Sequence, residues 1–322
     1  MIRENRAMAG QADESRLIQL VRKWRFPLLL LLAGLVALDV HGAMGIAANL
    51  TYAACIGNAT DPARRLEACT SIVEDKTGRT DQRAIAYFKR AYAWAAKGDY
   101  DRAIADSDDA IDMNPEYATA FYNRGIFWWR KGDVNLAIAD FGQAISLGFD
   151  GVEAYQNRGA AWASTGKYER AIADYNRAIN IDPKQAATYY ARGEAWGQSG
   201  NYDRAIADFT QGMGVDPTGG DVHAYYSRGV AWSFKGDDDR AIADYARAVD
   251  LDPKMADAYY ALGLAWAHKG DHDQAIVDYD QAIALNQKSA DFYNARSRSW
   301  KAKGNRERAE ADLKTADGLG AK

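Results

Sequence analysis

Apolar positions along most of this chain fall into short stripes that come in pairs. In one stretch Tyr155, Gly159 and Trp162 share the spacing of a single helix face. That stripe stops at a glycine followed by a polar residue. A second stripe, Ala171, Ile172, Tyr175, Ala178 and Ile179, then runs to Asp182-Pro183. The pattern predicts two amphipathic helices joined by a tight turn. Asp182 is placed to cap the following helix, with Pro183 at its first position, where the missing N–H costs nothing. Gly159 and Ala171 would lie where the paired helices cross, with rings of tryptophan and tyrosine filling the space beside them.

The pair recurs in strict register. Trp94, Trp128, Trp162, Trp196, Trp232, Trp266 and Trp300 follow one another at steps of 34, 34, 34, 36, 34 and 34 residues. A glycine stands four places after each, an alanine nine after, a small residue three before and an aromatic seven before. A fixed period of this length marks a stacked repeat. Some units depart from it. Phe149 and Gln287 stand where others have proline, Ser107 and Leu313 replace the second-helix aromatic, and Gly212 replaces a later alanine.

The order of small, aromatic, Gly, Ala and Pro positions resembles the tetratricopeptide repeat over residues 84–322, in seven units. The resemblance implies an all-α fold, a right-handed solenoid of antiparallel helix pairs. It also implies a concave groove, lined by the first helix of each pair, that holds a protein or peptide. On that register the groove carries Phe88, Tyr122, Gln156, Tyr190, Tyr226, Tyr260 and Asn294. One turn on come Tyr92, Ile126, Ala160, Glu194, Val230, Leu264 and Arg298. An aromatic row suits a protein-binding surface. It suits packing between neighbouring first helices equally well. Trp129 stands in a column otherwise held by Ala95, Ala163, Gly197, Ser233, Ala267 and Lys301. Phe88, Tyr92, Tyr122, Ile126 and Trp129 are therefore the expected principal contact patch. Chaperone-binding relatives grip a terminal carboxylate with Lys and Asn. Those positions hold Phe88 and Tyr92 here, so that clamp is not expected.

A second pattern concerns charge. Arg90, Arg124, Arg158, Arg192, Arg228 and Arg296 each precede an aspartate by 16 residues: Asp106, Asp140, Asp174, Asp208, Asp244 and Asp312. A planar guanidinium at a half-buried site calls for a carboxylate, so ion pairs within each hairpin are expected, with ligand recognition as the alternative. The sixth unit has Leu262 opposite Asp278, which leaves that carboxylate freer or paired with a neighbouring unit.

The N-terminal part reads differently. Arg16, Arg22, Lys23 and Arg25 precede the apolar run Phe26–Leu38, and small residues follow at Gly42–Ala48. Residues 1–42 are expected to be an export signal, or an anchor through residues 26–38. The run is 13 residues, against roughly 20 for a spanning helix. Either outcome puts the repeats outside the cytoplasm, in a periplasm or tethered to the inner membrane. In such a compartment Cys55 and Cys69 are expected to form a disulfide within a helical cap at residues 43–83.

The whole chain carries 40 basic and 44 acidic residues, a net charge of −4. A mildly acidic chain without a basic stripe argues against nucleic acid as partner. His268 and His272 flank Gly270 in a turn and do not share a helix face as zinc-binding histidines do, so no metal is expected. No catalytic motif appears, and no cofactor is implied. The expected function is a non-enzymatic protein-interaction scaffold of the cell envelope. Its rival is a membrane-tethered structural part of a secretion or polysaccharide-export complex.

Overall fold

The computed structural model describes residues 49–57, 61–216 and 221–320. The export or anchor segment, residues 26–38 included, lies outside them, as do Gly219 and Gly220. Among the described residues every regular element is a helix, and no helix is long and apolar enough to cross a membrane.

The chain divides into two compact units, residues 1–115 and 116–322. The described part of the first has helices α1 (49–56), α2 (Pro62–Glu74), α3 (Thr80–Ala96) and α4 (Tyr100–Met113). Within this unit α3 packs on α2 as well as on α4. Asp61 starts α2 by accepting a hydrogen bond from the Ala63 N–H. Cys55, Ala68, Cys69 and Val73 then close over Ala86 of α3, and Cys55 and Cys69 are joined by a disulfide.

The second unit is six hairpins in sequence: α5 (Ala118–Lys131) with α6 (Val134–Ser146), α7 (Val152–Ser164) with α8 (Tyr168–Ile181), and α9 (Ala186–Gln198) with α10 (Tyr202–Val215). Next come α11 (Val222–Phe234) with α12 (Asp238–Leu251), α13 (Ala256–His268) with α14 (His272–Leu285), and α15 (Ala290–Ala302) with α16 (Arg306–Gly320). Each second helix also packs on the following first helix, and from α7 onward consecutive first helices touch.

The hairpins close tightly because glycine meets a ring. A Cβ on Gly125, Gly159, Gly229 or Gly263 would lie 2.6–2.9 Å from the ring of Phe141, Tyr175, Tyr245 or Tyr279. No side chain fits there, so the aromatic of the second helix lies flat against the first helix's backbone. Two departures from the repeat are thereby explained together. Where the ring is absent, at Ser107 and Leu313, the facing glycine is absent too, and Ala91 and Ser297 take its place. Ser107 is fully buried and donates to the Ala103 carbonyl; Ser297 donates to that of Ala309.

Other departures are local exchanges of the same kind. The Phe149 ring, where proline was expected, packs on Tyr122 at a centroid distance of 4.4 Å. Gly212 makes room for Tyr190, whose ring carbon would stand 2.4 Å from an added Cβ. The turn glycine after each tryptophan takes a left-handed backbone, as at Gly166 with φ 71°. Asp182 does not cap the next helix, contrary to expectation. It accepts from the Lys184 N–H and the Gln185 side chain, and α9 begins only at Ala186. Three residues are needed to turn the chain there, so Pro183 falls in the turn.

Tryptophan ties hairpin to hairpin. Trp162 packs against the clusters built on Ala137 and on Ala171, and Trp232 against those built on Ala205 and Ala241. The exposed ring faces carry cations, with Arg170 4.7 Å above Trp162 and Arg240 4.6 Å above Trp232.

Candidate functional site

Six of the seven hairpins hold the arginine–aspartate pair, and all six pairs are bidentate. Arg158 shows the geometry: Nε donates to Asp174 Oδ2 at 2.8 Å and Nη2 to Oδ1 at 2.7 Å. The six aspartates are 5–6 % exposed. The remaining guanidinium nitrogen often reaches the preceding hairpin, as Arg192 does to Asn176 and Arg228 to Thr210. In each of the six, Nε and Nη2 are committed to the aspartate, which makes structural pairing their main role.

The sixth hairpin shows the effect of omission. Asp278 has Leu262 opposite it, and no hydrogen bond or ion pair to it is found among the described residues. Burial alone raises its carboxyl pKa from 3.8 to about 6. The fold therefore favours the protonated form. Between about pH 4 and 6 the folded chain holds the proton that the unfolded chain releases, so this group's contribution falls as pH rises. Because the site is partly open to solvent, the loss is about 1–2 kcal/mol. Asp278→Asn is expected to remove that slope from stability measured by denaturant titration across the window. An unchanged slope would show that Asp278 is solvated.

The face carried by the first helices differs from expectation at its strongest point. Phe88 is 8 % exposed and so belongs to the core, whereas Tyr92 is 53 % exposed. Tyr122, Ile126 and Trp129 are half-buried and pack on the cluster of Ala137, Ile138 and Phe141. The Trp129 ring lies 6.2 Å from that of Phe141. Tyr190, Tyr226 and Tyr260 are likewise half-buried, each ring within 6.5 Å of the second-helix aromatic of its own hairpin. The aromatic row is chiefly packing. Trp129→Ala is accordingly expected to cost about 2 kcal/mol of stability, half the penalty of a fully buried ring. Unchanged unfolding in urea would return Trp129 to the surface.

Where the column occupied by Trp129 shrinks to Ala163 and Gly197, the same face opens into a cavity of about 820 Å³. Its floor is small, with Ala191, Gly193 and Ala195, and its walls include Tyr168, Tyr175, Tyr202 and Tyr226. Phe234, 66 % exposed, stands at the edge with its ring stacked on Tyr202 at 4.8 Å. Ser164, Gln198, Ser227 and Glu194 supply polar groups. Glu194 is exposed, and partial desolvation by the surrounding walls raises its carboxyl above the usual range; Asp221 adds to the rise and His223 opposes it. A small-residue floor under aromatic walls with a few polar groups is the composition of a ligand site. The signal was present in the sequence as the gaps beside Trp129.

The candidate metal ligands separate. His268 faces Asp238 at 3.6 Å and His272 faces Ser299 at 3.4 Å. Asp237 and Asp271 cap α12 and α14. Among the described residues no group of three or more His, Cys, Asp or Glu side chains is placed to hold a metal ion.

Family models described as tetratricopeptide repeat match residues 88–148, 186–218 and 234–293, and one described as TPR repeat matches 163–199, together more than half of the chain. No curated protein matches. Among solved structures, a repeat protein from Cytophaga hutchinsonii is 17 % identical, with TM-score 0.62 over 77 % of this chain and 98 % of its own. A tetratricopeptide repeat protein from Parabacteroides merdae is 22 % identical, with TM-score 0.58 over 76 % of this chain and 94 % of its own. YrrB, described as having an unusual peptide-binding site, is 23 % identical, with TM-score 0.55 over 61 % of this chain and 98 % of its own.

Proposed function

Since the chain belongs to the tetratricopeptide repeat family, we propose that it is a non-enzymatic protein-interaction scaffold that holds a partner's peptide segment against its first helices. The observation that carries this reading is the open cavity between α7, α9 and α11. The hairpin before it fills the equivalent space with Trp129, so the repeat can be built closed and is built open here. Peptide binding by YrrB, a protein of the same fold, is consistent with it. This cavity is preferred to the patch of Phe88, Tyr92, Tyr122, Ile126 and Trp129 because, Tyr92 excepted, those side chains are buried or half-buried.

The basic, apolar and small-residue order of residues 16–48, with a disulfide at Cys55 and Cys69, supports a site of action outside the cytoplasm. The tethered alternative draws on the same run at 26–38. Fractionation with N-terminal sequencing separates the two.

The binding reading is tested by selecting peptides from a random display library on the full chain. Selected peptides are expected to photo-cross-link to α7, α9 or α11. Ala163→Trp, which copies the Trp129 solution into the third hairpin, is expected to weaken them about tenfold or more with helical content kept. Peptides that bind the variant undiminished would end the groove reading.

A further inference from the structure

Glu194 is the single acid in its column of first-helix positions, between Ala160 and Val230 on the neighbouring hairpins. Its own helix offers it nothing, because Arg192 is already bound to Asp208 and Asn176. Glu194 makes no hydrogen bond or ion pair among the described residues. No lysine, arginine or histidine lines the cavity. Outside the lining, Asp221 adds to the rise of the Glu194 pKa and His223 opposes it. Glu194 is exposed at the cavity, bordered by alanines, glycines and tyrosine rings, and its carboxylate has no ion-pair partner among the described residues. Partial desolvation beside those groups raises its pKa.

We propose that the cavity is a receptor for a cationic side chain, arginine or lysine, carried by a partner peptide, with Glu194 as its counter-charge. The inference rests on the groove reading above and gives it a chemistry. The small residues Ala163, Ala191 and Gly197 leave room for an apolar stem, whereas tyrosine faces attract a cation above them. Tyr202 and Phe234, stacked at the edge, offer a further flat surface to a guanidinium. The hydroxyls of Ser164 and Ser227 and the carbonyl of Gln198 supply neutral acceptors for the remaining donors. The result is complementarity of charge as well as shape, which gives discrimination against neutral and acidic partners.

The test uses the full chain and three blocked pentapeptides, each with two alanines on either side of the central residue: arginine, lysine or citrulline, the neutral isostere of arginine. Binding is read from the amide signals of Gly193, Gly197 and Ser227. The arginine and lysine peptides are expected to move these signals saturably, and citrulline to bind about tenfold more weakly or worse. Glu194→Gln is expected to bring arginine down to the level of citrulline, whereas Glu194→Asp keeps the preference. Circular dichroism confirms that the variants keep their helices. Equal binding of arginine and citrulline would overturn the cation receptor and leave the groove reading standing. Retained arginine preference in Glu194→Gln would also overturn it. If no peptide moves these signals and library peptides also fail to cross-link to α7, α9 or α11, both readings fall together.

Discussion

Truncating Arg158 to alanine is expected to cost the chain about 3–5 kcal/mol, the usual penalty for stranding a buried charge. The penalty falls on Asp174, which is 5 % exposed and would lose its partner. Removing both side chains in Arg158→Ala with Asp174→Ala is expected to restore part of the loss, because a buried pair stabilises much less than its halves suggest. The surface pairs of Lys235 with Asp203, Lys269 with Asp239 and Lys303 with Asp273 set the contrast. Their aspartate side chains are 76–79 % exposed, and breaking any one should cost under about 1 kcal/mol. Unfolding in urea, with hydrogen exchange to localise the effect, measures both classes. A loss below about 1 kcal/mol for Arg158→Ala would mean that Asp174 is rescued by water.

Replacing Cys55 and Cys69 by alanine is expected to destabilise the first unit by about 2–4 kcal/mol, the range for a short closed loop. The effect should stay in α1, α2 and the helix they cover. In a repeat protein each element contacts its neighbours alone, so a distant hairpin such as α15 with α16 keeps its exchange protection. Mass spectrometry of the unreduced chain should show no free thiol. Two free thiols, or equal loss of protection throughout, would count against a local staple.

How far the structure was legible in the sequence depended on whether a signal recurred. The tryptophan register and the sixteen-residue offset from arginine to aspartate fixed the helix pairs and the buried ion pairs, since many copies cannot coincide by chance. Single residues misled. The small column of Trp129 suggests exposure, yet the side chain is half-buried against Phe141 and the surrounding cluster, which no count along the chain reveals. Phe88 follows the same register as Tyr122 but lies in the core. The cavity was legible in principle, as Ala163 and Gly197 in consecutive hairpins. Asp182 failed for a different reason, because the length of a turn is decided by backbone geometry that side-chain type only suggests.

The contact pattern within the second unit has a kinetic consequence. The substantial contacts of its helices reach no further along the chain than the next helix or the one after. Chains built from such local contacts fold in microseconds to milliseconds. A ribosome delivers a 34-residue repeat only every few seconds, at about 5–20 residues per second. Each hairpin can thus settle before its successor exists, with little opportunity for mispairing among near-identical copies. The cavity lined by α7 to α11 draws on neither of the last two hairpins, so its formation does not wait for them.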